Sequence, residues 1–179
     1  MDIMYSGSAV ALADPRLMMH LKERDHMRLY VYGSCNAVDR NSFESAAWCL
    51  KAYSIGADGV LPWQSVGGDK AFDQPEQVAL LVSAKRFAQT AVPSMRVMAL
   101  RHGAQQCELL AQVLDRNRGW NRWHAYALVT QKVPLAAVFP SAPMMVTAWP
   151  SVRLWTDRVV TTIGEALVAP VRATPLKSH

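Results

Sequence analysis

Apolar residues fall in short runs separated by stretches with helical spacing. DIMYSGS, residues 2–8, reads as a strand ending in small polar residues. Asp14-Pro15 then opens a helix, because Asp14 can cap free backbone N–H groups and Pro15 suits the first helical position. Leu17, Met18 and Leu21 form its apolar stripe, and Arg24-Asp25 closes it. MRLYVYGS, residues 27–34, is rich in β-branched and aromatic residues and stops at Gly33, as a strand does. Asn41 or Ser42 caps a second helix, where Phe43, Ala46, Ala47 and Leu50 follow the i, i+3, i+4, i+7 rule. Gly56 is a natural helix stop, and Asp58-Gly59 turns the chain into a third strand at residues 60–64.

That order is strand, helix, strand, helix, strand, the pattern of βα units with a parallel sheet. Residues 65–76 read as a polar, glycine-rich loop, and QVALLV, residues 77–82, as a fourth strand or hairpin arm. Pro93-Ser94 opens the longest helix, which runs to about Arg116 with Leu100, Ala104, Cys107, Ala111 and Leu114 as its apolar stripe. Gly103 lies inside this helix at a cost of about 1 kcal/mol relative to Ala, so close packing against a neighbour is expected there. Residues 120–133 suggest a further helix. Residues 134–150 hold four prolines and read as irregular, and residues 152–167 form a last helix ended by Pro170.

The 179 residues are 51% hydrophobic and 18% charged, which excludes a disordered chain. Cys35, Cys49 and Cys107 are too few and too scattered for a disulfide scaffold or a CxxC metal site. The most apolar stretch, residues 133–149, is broken by Pro134, Pro140 and Pro143, so no membrane span is expected. MDIMYSGS shows no basic region ahead of an apolar run, so no signal peptide is visible and the cytoplasm is the default location. The net charge of +5 concentrates between residues 82 and 124. There Lys85, Arg86, Arg96, Arg101, Arg116, Arg118 and Arg122 face Glu108 and Asp115. A basic helix can bind phosphates, and a small nucleic-acid-binding or acidic-surface-binding protein acting through residues 85–122 is one candidate function. The segment carries no nucleic-acid motif, and a solvated helix face is the plainer reading.

The chemistry-bearing residues are sparse. The 14 acids include no adjacent Asp-Glu pair, and the five histidines do not cluster at metal spacing. Asp69, Asp73 and Glu76 lie in the loop after the third strand. There is no GxSxG elbow, GxGxxG or P-loop, so neither a cofactor nor a metal is expected. The strand ends remain, where parallel α/β folds bind ligands. They carry Tyr5-Ser6, Tyr32-Gly33-Ser34 and Trp63-Gln64-Ser65. An aromatic ring stacks on sugar C–H bonds while its polar neighbours bind hydroxyls, which makes Trp63, Tyr32, Gln64, Ser6 and Ser34 candidate sugar-binding residues. The same pattern would arise if Tyr and Trp only closed the core.

AAWCLKAYSIGADGVLPWQS, residues 46–65, followed by VPSMRVMALRHGAQQCELL, residues 92–110, resembles the C-terminal part of glycoside hydrolase family 123 and its uncharacterised relatives. The likeness covers roughly residues 2–115. It implies a partial (β/α) barrel, the last three βα units over residues 1–116, followed by a helical and irregular extension over residues 117–179. It further implies action on N-acetylgalactosaminides, with the substrate's acetamido group as nucleophile and a neighbouring Asp-Glu pair. This chain has no such pair, so the resemblance implies a carbohydrate-active fragment that is inactive alone and self-associates through open sheet edges. Where many relatives have an acid and a hydrophobic or aromatic residue in the long helix, this chain has Gln106, Cys107 and Leu109.

Overall fold

A computed structural model of the chain describes residues 2–33, 43–63, 65–68, 79–83, 91–122, 124–125, 127–128 and 153–169. These residues form a mixed α/β protein. It begins with β1 (Ile3–Gly7), α1 (Ser8–Ala13), α2 (Pro15–Arg24), β2 (Arg28–Gly33), α3 (Phe43–Ser54) and β3 (Gly59–Pro62). The three strands lie side by side in chain order, and both pairings are parallel. The Trp63 N–H donates to the Gly33 carbonyl at 2.8 Å and carries the ladder one residue past β3. A second small sheet combines β4 (Val66–Gly67), β5 (Leu81–Ser83) and β6 (Ala91–Pro93), with β4 parallel and β6 antiparallel to β5. The long α4 (Met95–Arg116) follows, and α5 (Arg153–Val168) closes the described chain.

Local chemistry sets several boundaries. The Asp14 carboxylate accepts the Leu17 N–H at 3.0 Å, and Pro15 occupies the first position of α2. Gly56 takes a φ of +84° just after α3, a left-handed conformation that only glycine adopts freely. Two residues on, Asp58 works as a staple. One carboxylate oxygen accepts the Leu29 N–H of β2 at 2.9 Å, and the Lys22 ammonium of α2 donates to the other at 2.8 Å. Lys22 also donates to the Gly56 carbonyl at 2.6 Å. One side chain thus ties the starts of β2 and β3 to the helix between the first two strands.

The layers stack on a single face of the parallel sheet. Met4, Leu29, Val31 and Val60 point to that face and meet Ala11 of α1, Met18 of α2, Trp48 and Ala52 of α3, and Ile55 just after it. Beyond α3, Ala47 and Leu50 join Leu110 and Val113 of α4, Ile163 of α5 and Ala125 in a second core. Helix α3 is therefore the middle layer, and its residues from Ser45 to Ala52 are all buried.

Two sequence-based expectations shift once packing is visible. In α2 the buried residues are Met18 and Met19, while Leu17 is exposed. In α4 the buried line is Gly103, Gln106, Leu110 and Val113, one position aside from the expected stripe, and Ala104 is exposed. The cause is Gly103. A Cβ built there would lie 2.8 Å from the Ala46 Cα, 2.9 Å from its carbonyl oxygen and 2.9 Å from the Cys49 Cβ. The helices cross so closely that the glycine faces α3, and Gln106 follows it inward. Its amide nitrogen lies 2.8 Å from His102 Nε2, while its carbonyl oxygen is buried with no partner among the described residues. The loop expected at residues 65–76 contains β4, and of the strand expected at 77–82 only the end is found, as β5; residues 79–80 are not strand, and 77–78 lie outside the described residues.

Two outcomes are expected from this packing. In an open helix Gly→Ala would gain about 1 kcal/mol, so the sign of Gly103→Ala is diagnostic. Here the new methyl meets the backbone of a helix held on every side, and the variant should lose roughly 1–3 kcal/mol in urea unfolding. A gain in stability would refute the close crossing. Lys51, 2% exposed in α3, has its ammonium pKa pushed down by burial from 10.5 to about 8. Between those values the unfolded chain binds more protons, so this group's contribution to stability rises with pH. Lys51→Met should be more stable than the parent below pH 8, and its advantage should shrink by about 1 kcal/mol from pH 8 to 9. A constant difference across that window would count against a buried ammonium.

Candidate functional site

A parallel sheet with helices on one face leaves the other face to be described. Alternation along β2 decides which side chains reach it. Leu29 and Val31 are buried beneath the helices, so Arg28, Tyr30 and Tyr32 point the other way. Register carries the same parity to the neighbours, since Tyr5 lies beside Tyr30 and Leu61 beside Tyr32. The result is an apolar, aromatic face on which Ile3, Tyr5, Leu61 and Trp63 are exposed.

Two aromatic pairs organise it. Near the strand middles the Tyr5 and Tyr30 rings lie 6.0 Å apart between centroids, tilted by 39°. The Tyr30 ring lies across Gly59, where a Cβ would approach it to 2.8 Å. Glycine at the start of β3 is thus what lets the tyrosine lie over the neighbouring strand. At the carboxyl ends of β2 and β3, Tyr32 and Trp63 meet edge to face, with centroids 5.7 Å apart and planes at 86°. This geometry matches the quadrupole preference of aromatic pairs and holds the indole in place. Trp63 remains 48% exposed. An indole fixed by its neighbour yet open to solvent offers a flat stacking face and one N–H donor.

The structure brings together two of the expected sugar-binding residues, Tyr32 and Trp63. Ser6 does not join them. It pairs with Val31 in the register, which puts it on the helix-covered side, and its hydroxyl donates to the Gly7 carbonyl at 3.4 Å. Gln64 and Ser34 lie outside the described residues, as do Asp69, Asp73 and Glu76. Tyr30 and Leu61 belong to the same face and were not singled out by motif. The alternation of β2 was the signal that could have found them.

The basic segment is partly committed to internal contacts. Arg96 donates to the Ala79 carbonyl at 2.7 Å. Arg122 lays its guanidinium 3.4 Å from the Tyr53 ring centroid and donates to the Tyr53 carbonyl at 2.9 Å. Arg101, Arg116 and Arg118 are exposed, and Lys85 and Arg86 lie outside the described residues. Among the described residues no three of His, Cys, Asp and Glu converge where a metal could be held, and no helix is long and apolar enough to cross a membrane. In comparisons with known proteins, no family model matches this chain and no curated protein aligns with it.

Proposed function

We propose that residues 1–116 form the last three βα units of a (β/α) barrel and that the chain is a carbohydrate-active protein of glycosidase type. The observation that carries this is the Tyr32–Trp63 pair at the carboxyl ends of adjacent parallel strands, on the face that the described helices do not cover. Consecutive strand order supports the barrel. Right-handed crossovers that always step in one direction put every helix on one face, whereas a doubly wound sheet reverses and covers both. In a barrel the uncovered face is the inner one, and its carboxyl-end rim is where substrates bind. Sugar rings carry apolar C–H faces, and Trp63 supplies the complementary surface.

The proposed role is binding rather than complete catalysis. Substrate-assisted cleavage needs one carboxylic acid to protonate the leaving oxygen and a carboxylate to orient the acetamido nitrogen. No two acids are adjacent in this sequence. The chain alone should therefore leave aryl N-acetylgalactosaminides intact. Turnover that persists after joint mutation of Asp69, Asp73 and Glu76 would overturn the missing-pair argument.

Trp63→Ala tests the sugar wall directly. It should weaken binding of an N-acetylated sugar by about 1–3 kcal/mol in calorimetric titration, as expected for a central aromatic contact. Because the indole is half exposed, the melting temperature should change little. A large drop in stability with unchanged affinity would make Trp63 a packing residue. The nucleic-acid alternative separates by salt: phosphate binding falls steeply as salt rises, and ring stacking on a sugar barely changes.

A further inference from the structure

A second concave feature lies at the other end of β3, on the helical side. It is a cavity of about 320 Å³ between α3, α4 and the start of β3. This is the lower range of small-molecule pockets, and its wall is mostly apolar with few polar groups, as is usual for them. Ala52, Val60, Ala104 and Ala111 line it, and the short alanine side chains keep the slot between the two helices open. Cys49 and Cys107 complete that wall. Burial pushes both thiols up to about 12, so they add neutral, polarisable surface for an apolar group.

Three charged side chains border the cavity. Asp58 is already paired with Lys22 at 2.7 Å and holds the Leu29 N–H. The Arg122 guanidinium lies on the Tyr53 ring, and its Nη1 donates to the Tyr53 carbonyl. Those contacts fix the planar fork in place, but neither the ring nor the carbonyl cancels its charge. Glu108 is exposed, and its neighbours three and four positions away on α4 are Ala104, Gln105, Ala111 and Gln112, so its own helix supplies no cation. Among the described residues neither Glu108 nor Arg122 has an ion-pair partner, and the two do not pair with each other. A purely cationic ligand would meet the guanidinium, and a purely anionic one the carboxylate. A ligand bearing both signs finds an opposite charge for each.

We infer that this cavity binds an apolar α-amino acid as its zwitterion, the carboxylate at Arg122, the ammonium at Glu108 and the side chain in the slot between α3 and α4. The inference does not rest on the sugar reading, because the cavity meets the amino end of β3 and Trp63 follows its carboxyl end.

L-Leucine is the probe, and each of three controls lacks one of its parts. 3-Methylbutylamine has no carboxylate, 4-methylpentanoate has no ammonium, and glycine has no apolar side chain. Calorimetric titration of the full chain with millimolar leucine should show binding. Each control should bind about tenfold more weakly or worse, since each forfeits one charge-assisted contact or the apolar burial. Glu108→Gln should weaken leucine about tenfold and leave the residual affinity for 4-methylpentanoate no lower. Arg122→Gln should weaken both leucine and 4-methylpentanoate and spare 3-methylbutylamine. Glu108 is at the surface, so its variant keeps the test open if Arg122→Gln does not fold. Absence of leucine binding, equal binding of any control, or a Glu108→Gln affinity for leucine equal to the parent's would overturn the proposal.

Discussion

The close crossing of α3 and α4 at Gly103 is the contact on which the other layers depend. Helix α3 touches the sheet with Trp48 and Ala52 and the outer helices with Ala47 and Leu50. It has no solvent face along its middle, so it cannot roll or retreat to make room. A glycine without a Cβ lets α4 settle directly on the Ala46 backbone. The backbone entropy it costs, about 1 kcal/mol, is small beside what each aliphatic residue in the two cores returns, roughly 1.5–3 kcal/mol apiece. Leu110 and Val113 are fully buried because Gly103 brings their helix that near.

The same stacking puts the described helices on one side of the sheet. Every described helix that covers it packs on the face of Leu29 and Val31. Parallel sheets are ordinarily covered on both faces, because their strands are apolar on both. Here the second face carries tyrosines, a leucine and a tryptophan, with Arg28 at its amino-end edge. On the proposed reading that composition belongs to the inner wall of a barrel, where rings near the rim meet substrate and rings below pack against other strands. Tyr30 lying across Gly59 has the second character, and the half-exposed Trp63 the first.

Much of this architecture was legible in the residues. The cap at Asp14, the stop at Gly56 and the three strands needed only local rules, and Gly103 announced its own close contact. What failed depended on neighbours. The expected stripe of α4 ran through Leu100, Ala104 and Cys107 because periodicity scores apolar side chains, and neither glycine nor glutamine scores. The structure buries both. Likewise α3 looked amphipathic, yet it encloses Ser45, Lys51 and Ser54, since a helix between two cores has no outside. For the site, strand ends pointed to Tyr32 and Trp63, but grouping Ser6 with them ignored the parity of the strand. The cavity between α3, α4 and the start of β3 was not legible, because residues far apart in the chain build it and alanine has no chemistry to flag.

The Asp58 staple divides the sheet into two ends of different character. At the amino end, one carboxylate, one ammonium and two backbone groups lock strand starts and helix together within hydrogen-bond distance. The register of β2 and β3 is thereby set before the chain reaches its last strand residues. The opposite rim is relieved of that duty. On the proposed reading, side chains at that rim can change without disturbing the pairing beneath them, so specificity can vary there while the scaffold stays the same.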